Sequence, residues 1–150
     1  LIASNKTQLK GHKLRHQVVK AIENLPNINI DVLGRGYKAF ENKEDGLLPY
    51  MFSIVIENAQ ENDYFTEKLL DCFMCGTIPI YWGAPNIGKY FNIDGMIIFD
   101  SIDEMLELLH NITEKEYEKR LSTILSNYEF SCKLSNVNTR IITTLKGHLT

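Results

Sequence analysis

The sequence has few of the features that mark specialised classes of protein. It has three cysteines, an odd and low number that argues against a disulfide framework and fits a reducing compartment. No run approaches the roughly 20 apolar residues of a membrane-spanning helix, and no signal-peptide pattern is present. The formal net charge is −3, so no global basic field is available to hold nucleic acid. Any anion that the protein binds must therefore be bound by a local arrangement of residues.

The remaining composition is that of an ordinary globular domain. Hydrophobic residues make up 44% of the chain and charged residues 23%, which is enough to bury a core. A length of 150 residues suits one domain, so we assign residues 1–150 to a single unit. The chain opens on Leu1 without a methionine, and we expect it to be a piece of a longer polypeptide. We expect a cytoplasmic location, with peripheral membrane attachment of the parent protein left open.

Apolar segments of strand length alternate with amphipathic segments of helix length. The sequence predicts strands at 1–3, 28–33, 52–56, 78–82 and 96–99. It predicts helices at 14–25 (ended by Pro26-Asn27), 43–48, 66–75, after Ser101 and after Thr113, with a weakly helical tail at 136–146. This alternation implies right-handed crossovers and a mostly parallel sheet. We therefore expect an α/β, Rossmann-like parallel sheet with helices on both faces.

The segment after the predicted strand 52–56 contains an unusual helix start. Lys68 falls in the first helical turn, where a lysine opposes the helix dipole. A lysine there makes sense where an anion is shared between its ammonium group and free backbone N–H groups. A surface lysine tolerated by its context fits the spacing equally well. In parallel sheets, ligands bind outside the carboxyl ends of the strands, which is where this segment lies.

Three motifs follow one another between residues 50 and 90: FSIVIEN at 52–58, DYFTEKL at 63–69 and GTIPIYWG at 76–83. Together they resemble the signature of the α1,3/α1,4-fucosyltransferases, glycosyltransferase family 10. In that family a strand ending in Glu-Asn is followed by Tyr-x-Thr-Glu-Lys and by a Gly-x-x-Pro-x-x-x-Gly strand. Ser4-Asn5, Arg15 and Gly36-Tyr37-Lys38 resemble flanking parts of the family pattern, with a longer insert before the arginine.

The resemblance implies a fold, an activity and a set of site residues. The chain would be the nucleotide-sugar-binding half of a two-domain GT-B glycosyltransferase, without the N-terminal acceptor domain that is its partner in the parent chain. The reaction would be inverting transfer of fucose from GDP-fucose to a hydroxyl of a glycan acceptor. The implied donor-binding residues are Arg15, Tyr37, Asn58, Tyr64, Glu67 and Lys68.

The implied roles suit the chemistry of these side chains. Arg15 and Lys68 would neutralise the diphosphate, whose negative charge grows as the fucose–phosphate bond breaks. Asn58 and Tyr64 would hydrogen-bond phosphate or sugar oxygens, and Tyr37 would contact the guanine ring. From the residues alone, Arg15 could instead be a solvated helix residue, Tyr37 a boundary residue and Asn58 a turn residue.

Glu67 is the candidate catalytic residue within the chain, although it would equally bind ribose hydroxyls or face the fucose. The resemblance places the main base in the absent acceptor domain. The resembled family works without an obligatory bound metal, so the resemblance implies that no metal or other cofactor is required; two fixed cations would explain this, and the sequence contains no Asp-x-Asp pair. The alternative functions are a transferase for another nucleotide sugar and a non-catalytic nucleotide- or glycan-binding module.

Two further patterns are better explained by packing than by metal binding. Cys72 and Cys75 fall in a predicted helix among apolar residues, and no second cysteine pair accompanies them. His12 and His16 are spaced to share a helix face but have no third ligand nearby in the sequence. We interpret the cysteines as core or helix-face residues and the histidines as part of a polar helix face.

Overall fold

A parallel sheet of three strands lies at the centre of the computed structural model, which describes residues 1–23, 25 and 28–136. The strands, in their spatial order, are β1 (Phe52–Ile56), β2 (Ile78–Trp82) and β3 (Ile97–Ile98). Ile80 in the middle strand pairs with Ile54 on one side and with Ile97 on the other. The carboxyl ends of all three strands therefore meet at one edge of the sheet.

Helices cover both faces of this sheet. They are α1 (Lys10–Ile22), α2 (Glu67–Met74), α3 (Ile102–Asn111) and α4 (Glu114–Ser135). Successive strand residues point to opposite faces, so Ile54, Ile56 and Ile80 pack with α1 and α3. Val55 and Tyr81 pack on the other face, with α2 and α4. The predicted α/β fold, with helices on both faces of a parallel sheet, is confirmed.

Helix ends follow the local sequence signals. The hydroxyl groups of Thr66, Ser101 and Thr113 each accept a hydrogen bond from a backbone N–H in the first turn of α2, α3 and α4. Gly76 ends α2 in the left-handed conformation, with φ of +69°. Three short 3-10 helices complete the described elements, at Lys43–Gly46, Ile87–Lys89 and Ile93–Gly95.

The first two predicted strands, at 1–3 and 28–33, are wrong as regular strands. They meet in one parallel bridge, between Ile2 and Leu33. Gly34 follows with φ of +118° and turns the chain away directly after the bridge. Residues 2–4 do not pair with β1 either: both line the same cavity, and β1 is the edge strand of the described sheet.

Other element boundaries differ modestly from the prediction. α1 begins at Lys10 and ends at Ile22 rather than spanning 14–25, and β3 has two residues. The predicted helix stop at Pro26-Asn27 and the predicted tail helix beyond Asn136 lie outside the described residues. Within the described residues, none of the helices combines the length and the hydrophobicity needed to cross a membrane.

The first turn of α1 packs directly against the carboxyl end of β1. The backbone N of Gly11 donates to the carbonyl oxygen of Asn58 at 3.0 Å. A Cβ at position 11 would overlap the carbonyl group of Glu57, which is backbone and cannot turn aside. Glycine therefore permits the close approach that places α1 beside the segment following β1.

We expect Gly11→Ala to lower the free energy of unfolding by about 3 kcal/mol, the upper range of overpacking costs, because backbone atoms must separate. Gly88→Ala is the matched control, since a Cβ there would first meet a methyl group of the exposed Ile93 at 3.3 Å. Urea unfolding should show the control within about 1 kcal/mol of the parent. Equal effects of the two substitutions would contradict the close contact between α1 and β1.

Candidate functional site

Arg15 of α1 binds the carboxyl end of β1. Its side chain is buried, and its Nε and Nη2 atoms donate to the Ile56 carbonyl oxygen at 3.1 and 2.9 Å. Nη2 also donates to Oδ1 of Asn58 at 2.6 Å. A guanidinium group has five N–H donors, and those on Nη1 have no hydrogen-bond partner among the described residues. Arg15 therefore holds the strand end and retains donors for a ligand.

The charge of Arg15 is maintained despite its burial. Burial lowers the pKa of the guanidinium from its ordinary value, and the electrostatic influence of Glu57 and Tyr64 opposes that shift. Because arginine begins with so high a pKa, the group stays protonated at neutral pH. The site thus contains a permanent positive charge in partly desolvated surroundings.

A buried carboxylate joins β1 to the start of α2. Glu57 is 0% exposed, and its Oε1 and Oε2 atoms accept hydrogen bonds from Thr66 N and Thr66 Oγ1 at 2.9 and 2.8 Å. Lys68 Nζ donates to Glu57 Oε2 at 3.3 Å and to Thr66 Oγ1 at 2.8 Å. The carboxylate of Glu57 is therefore an anion beside Lys68, and it offsets the unfavourable helix dipole at this position.

A cavity of about 200 Å³ opens beside this network. Arg15, Glu67 and Lys68 all contribute to its wall, together with β1 and residues 2–4. The Lys68 side chain is 31% exposed and that of Glu67 is 58% exposed, and their charged atoms lie 3.9 Å apart. Arg15 and Lys68 thus border one small space with the accessible carboxylate of Glu67, and the wall continues along β1 past the paired side chains of Lys43 and Asp71.

The other predicted donor residues lie at different distances from this cavity. Asn58 follows β1 and is bound to Arg15, although it does not line the cavity wall. Tyr64 is half-buried and close enough to Arg15 to influence the pKa of the guanidinium. The Tyr37 hydroxyl lies 3.2 Å from Nδ1 of His16 and outside the cavity wall. The structure therefore places Arg15, Glu67 and Lys68 in the cavity wall with Asn58 bound to Arg15, whereas Tyr37 lies against His16 on α1.

The loop between β1 and α2 is fixed by Asp63, which was not among the predicted site residues. Asp63 has φ of +63°, and its backbone N donates to Oδ1 of Asn86 at 2.8 Å. Its carboxylate accepts hydrogen bonds from Tyr90 Oη and from Asn86 Nδ2, both at 2.6 Å. These two bonds hold the pKa of Asp63 below its ordinary value of 3.8. Because Asp63 is held in place by these contacts, they also restrict the backbone of Tyr64, which follows it.

Glu57 and Thr66 were also missed as members of the site. A sequence signal for Glu57 was available, because a carboxylate that directly continues an apolar strand is costly to bury without a partner. Its nearest following cation is Lys68. The pairing depends on the intervening turn, which spacing alone does not define.

The cysteines and histidines make separate local contacts. Cys72 is buried in α2, and burial raises the pKa of its thiol to about 12, whereas Cys75 is half-buried at the end of that helix. His12 Nδ1 accepts a hydrogen bond from Leu9 N at 3.3 Å, and His16 Nε2 lies 2.9 Å from the Lys6 carbonyl oxygen. In the described part of the chain, no three His, Cys, Asp or Glu residues are grouped to hold a metal ion.

The sequence of the chain matches that of a known protein family. Residues 1–130 match the family model described as "Glycosyltransferase family 10 (fucosyltransferase) C-term". The chain belongs to glycosyltransferase family 10. The family prediction made from the three motifs is therefore confirmed.

Curated relatives of this family 10 chain are named fucosyltransferases. It is 34% identical over 110 residues to an α-(1,3)-fucosyltransferase of Helicobacter pylori, in a match covering 67% of this chain and 23% of that protein. It is 32% identical over 106 residues to GDP-fucose protein O-fucosyltransferase 3 of Gallus gallus, covering 67% and 21%. The chain thus spans less than a quarter of the length of these relatives.

Solved family structures share the fold. Crystal structures of α1,3-fucosyltransferase with GDP and with GDP-fucose superpose with TM-scores of 0.65 and 0.63, at 24% and 23% identity. The matches cover 91% and 87% of this chain, and 46% of the solved chain in each case. The family 10 chain therefore has the fold of slightly less than half of those structures.

We expect His12 to make the stability of this domain pH-dependent. Burial, then the charges of Arg15 and Lys6, lower its pKa from the ordinary value of 6.5, while a hydrogen bond with Asn58 opposes the shift. Below pH 6.5 His12 is protonated in the unfolded chain, whereas in the folded chain its lowered pKa keeps it neutral. Stability is thus present above that pH and is lost as the pH falls through the lowered pKa.

Urea unfolding of wild type and His12→Asn between about pH 8 and pH 5 measures this effect. Asparagine keeps an acceptor near the position of Nδ1, so the variant should lose less stability on acidification than the wild type. His110→Asn, which removes an exposed histidine of α3, is the control and should keep the wild-type pH dependence. Parallel curves for the wild type and His12→Asn would exclude His12 as the source.

Proposed function

We propose that this chain binds GDP-fucose at the carboxyl end of β1, as the donor half of an inverting fucosyltransferase. The observation that carries the proposal is the cavity bordered by Arg15, Glu67 and Lys68. Ligands of Rossmann-like sheets bind outside the carboxyl ends of the strands, and two cations suit a diphosphate. The GDP and GDP-fucose in the related crystal structures support this choice of ligand.

The two cations are equipped to act on phosphate oxygens. An ammonium group has three N–H donors, and Lys68 directs two of them to Glu57 and Thr66, which leaves one for a ligand. Arg15 retains the donors on Nη1. Fixed donors of this kind stabilise the negative charge that GDP gains as it leaves, without reorganising during the reaction. We propose that they do so without a bound metal ion.

The remaining site residues are proposed to bind other parts of the donor. Glu67 carries an accessible carboxylate that suits ribose or fucose hydroxyls. Tyr64 would hydrogen-bond a phosphate or sugar oxygen, and Tyr37 would contact guanine. Asn58, already held by Arg15 at 2.6 Å, would contribute to the donor pocket from the strand end.

The proposed chemistry divides between donor and acceptor. An acceptor hydroxyl attacks C1 of fucose, the bond from C1 to the phosphate oxygen breaks, and its electron pair leaves with GDP. The hydroxyl proton passes to a general base. The chain spans 46% of the related crystal structures, and we propose that the base and acceptor site belong to a separate N-terminal domain of the parent protein.

We expect GDP to raise the melting temperature of the wild type more than UDP or ADP at equal millimolar concentrations, because a ligand of the folded state stabilises it by mass action. Lys68→Met should weaken GDP binding in calorimetry by about 1–3 kcal/mol, the value of a lost charge-assisted hydrogen bond. Lys119→Met, which removes an exposed ion pair on α4, should leave the affinity unchanged.

A larger shift with UDP would favour a transferase for another nucleotide sugar, and no shift with any nucleotide would reject a donor site. Lys68→Met also removes the charge that compensates the buried Glu57 carboxylate, so it should lower stability as well as affinity. Because Arg15 also holds the Ile56 carbonyl oxygen, Arg15→Ala should lower stability as well as affinity.

We expect the 150-residue chain alone to bind the donor without transferring fucose. Positioning of reactants can supply roughly 7–11 kcal/mol of a barrier, and a general base adds about 10²–10⁴-fold. Radiolabelled GDP-fucose with lactosamine-type acceptors should therefore show, at most, slow hydrolysis. Efficient transfer would place the base within this chain, and loss of that activity in Glu67→Gln would identify it.

A further inference from the structure

Glu57 has an unusual combination of charge and complete burial. Its carboxylate is 0% exposed, in contrast to Glu67, whose side chain is 58% exposed and borders the cavity. A buried carboxylate is costly unless hydrogen bonds and an opposite charge compensate it. The start of α2 supplies both, through Thr66 and Lys68.

The hydrogen bonds of this network have a defined direction. The Thr66 hydroxyl has one proton, which it donates to Glu57 Oε2 at 2.8 Å. Its oxygen can therefore act only as an acceptor toward Lys68, whose Nζ lies 2.8 Å away. Lys68 Nζ is also 3.3 Å from the same Glu57 oxygen. The ammonium group is consequently held by two acceptors on the protein side and keeps one N–H for a ligand.

Glu57 is itself fixed by the elements around it. Its backbone N donates to the carbonyl oxygen of Trp82 at 2.9 Å, which extends the pairing of β1 with β2. A Cβ at Gly83 would lie 2.8 Å from Glu57 Cγ, and one at Gly11 would overlap the Glu57 carbonyl group. The carboxylate therefore has little freedom to move, and it transfers that rigidity to Lys68.

We propose that Glu57 is a positioning residue for the diphosphate of the donor, acting through Lys68 with Thr66 as the bridge. A lysine stem is long and flexible, so an ammonium group fixed before binding loses less freedom when the ligand arrives. Glu57 also competes with Glu67 for the ammonium group, because the Glu67 carboxylate lies 3.9 Å from Lys68 Nζ and would otherwise attract it. This inference rests on the proposed donor site and assigns Glu57 a role within it.

A double-mutant cycle on the whole chain tests the proposal, with GDP as the probe in calorimetry. Glu57→Gln keeps the size of the side chain but replaces one acceptor oxygen with an amide nitrogen. It should weaken GDP binding about tenfold, mostly by freeing Lys68. In the Lys68→Met background the same substitution should change the affinity less than about twofold, because its effect depends on the lysine.

A second pair of variants tests the bridge if Glu57→Gln does not fold. Thr66→Val removes the hydroxyl and should weaken GDP binding severalfold, whereas Thr66→Ser keeps it and should restore affinity. Thr113→Val removes the corresponding N-terminal hydroxyl of α4, away from the cavity, and is the matched control that should leave GDP affinity within about twofold.

The outcomes separate this inference from the proposed function. If the fold-losses of GDP affinity caused by Glu57→Gln and by Lys68→Met simply multiply in the double variant, the two residues act independently. That result would show a general structural effect of Glu57→Gln and overturn the positioning role. Unchanged or tighter binding by Glu57→Gln, or equal affinities of Thr66→Val and Thr66→Ser, would overturn it while leaving the donor site intact. Absence of GDP binding by the folded wild type would overturn both.

Discussion

Burial of the Glu57 carboxylate imposes requirements on every element around the end of β1. A charge without exposure must be matched by donors and by an opposite charge, and α2 meets both needs within its first turn through Thr66 and Lys68. Gly83, directly after β2, leaves space for the Tyr81 hydroxyl and for Glu57 Cγ, which a Cβ there would approach to 2.8 Å. The first turn of α2 is thus tied to the end of β1 by one carboxylate, while the rest of the helix packs on the sheet through Leu69, Cys72 and Phe73.

Arg15 performs a corresponding task from the opposite side. It binds the carbonyl oxygen of Ile56 and the side chain of Asn58, which are backbone and amide acceptors that the strand end would otherwise leave unpaired. Arg15 and Lys68 are therefore structural residues that also border the cavity. Because their positions are fixed by the fold, they would need little reorganisation to meet the proposed diphosphate.

Much of this structure was predictable where the local sequence decides it. The limits of β1 and β2 were predicted to the residue, because strands covered on both faces are almost wholly apolar and these two end at Glu57-Asn58 and at Gly83-Ala84-Pro85. The structure of segment 28–33 was not predicted correctly. Alternating polarity indicates that one face of a segment is buried, but a regular strand also needs a neighbouring strand to pair with, and this segment has a single bridge to residues 1–3, from Leu33 to Ile2. The Glu57–Lys68 pair also escaped prediction: its residues are eleven apart, and the turn between them decides whether they meet.

The contacts that anchor α1 have a consequence for how the loop before it can vary. Gly11 and Arg15 attach the helix to β1 through its own residues, so the chain leading from Ser4 to Leu9 is not required to set the helix position. Loop closure costs grow only slowly with length. Insertions and deletions in that loop are thus compatible with an unchanged arginine, and alignments of related chains should be anchored on the glycine and arginine instead of on the length between them.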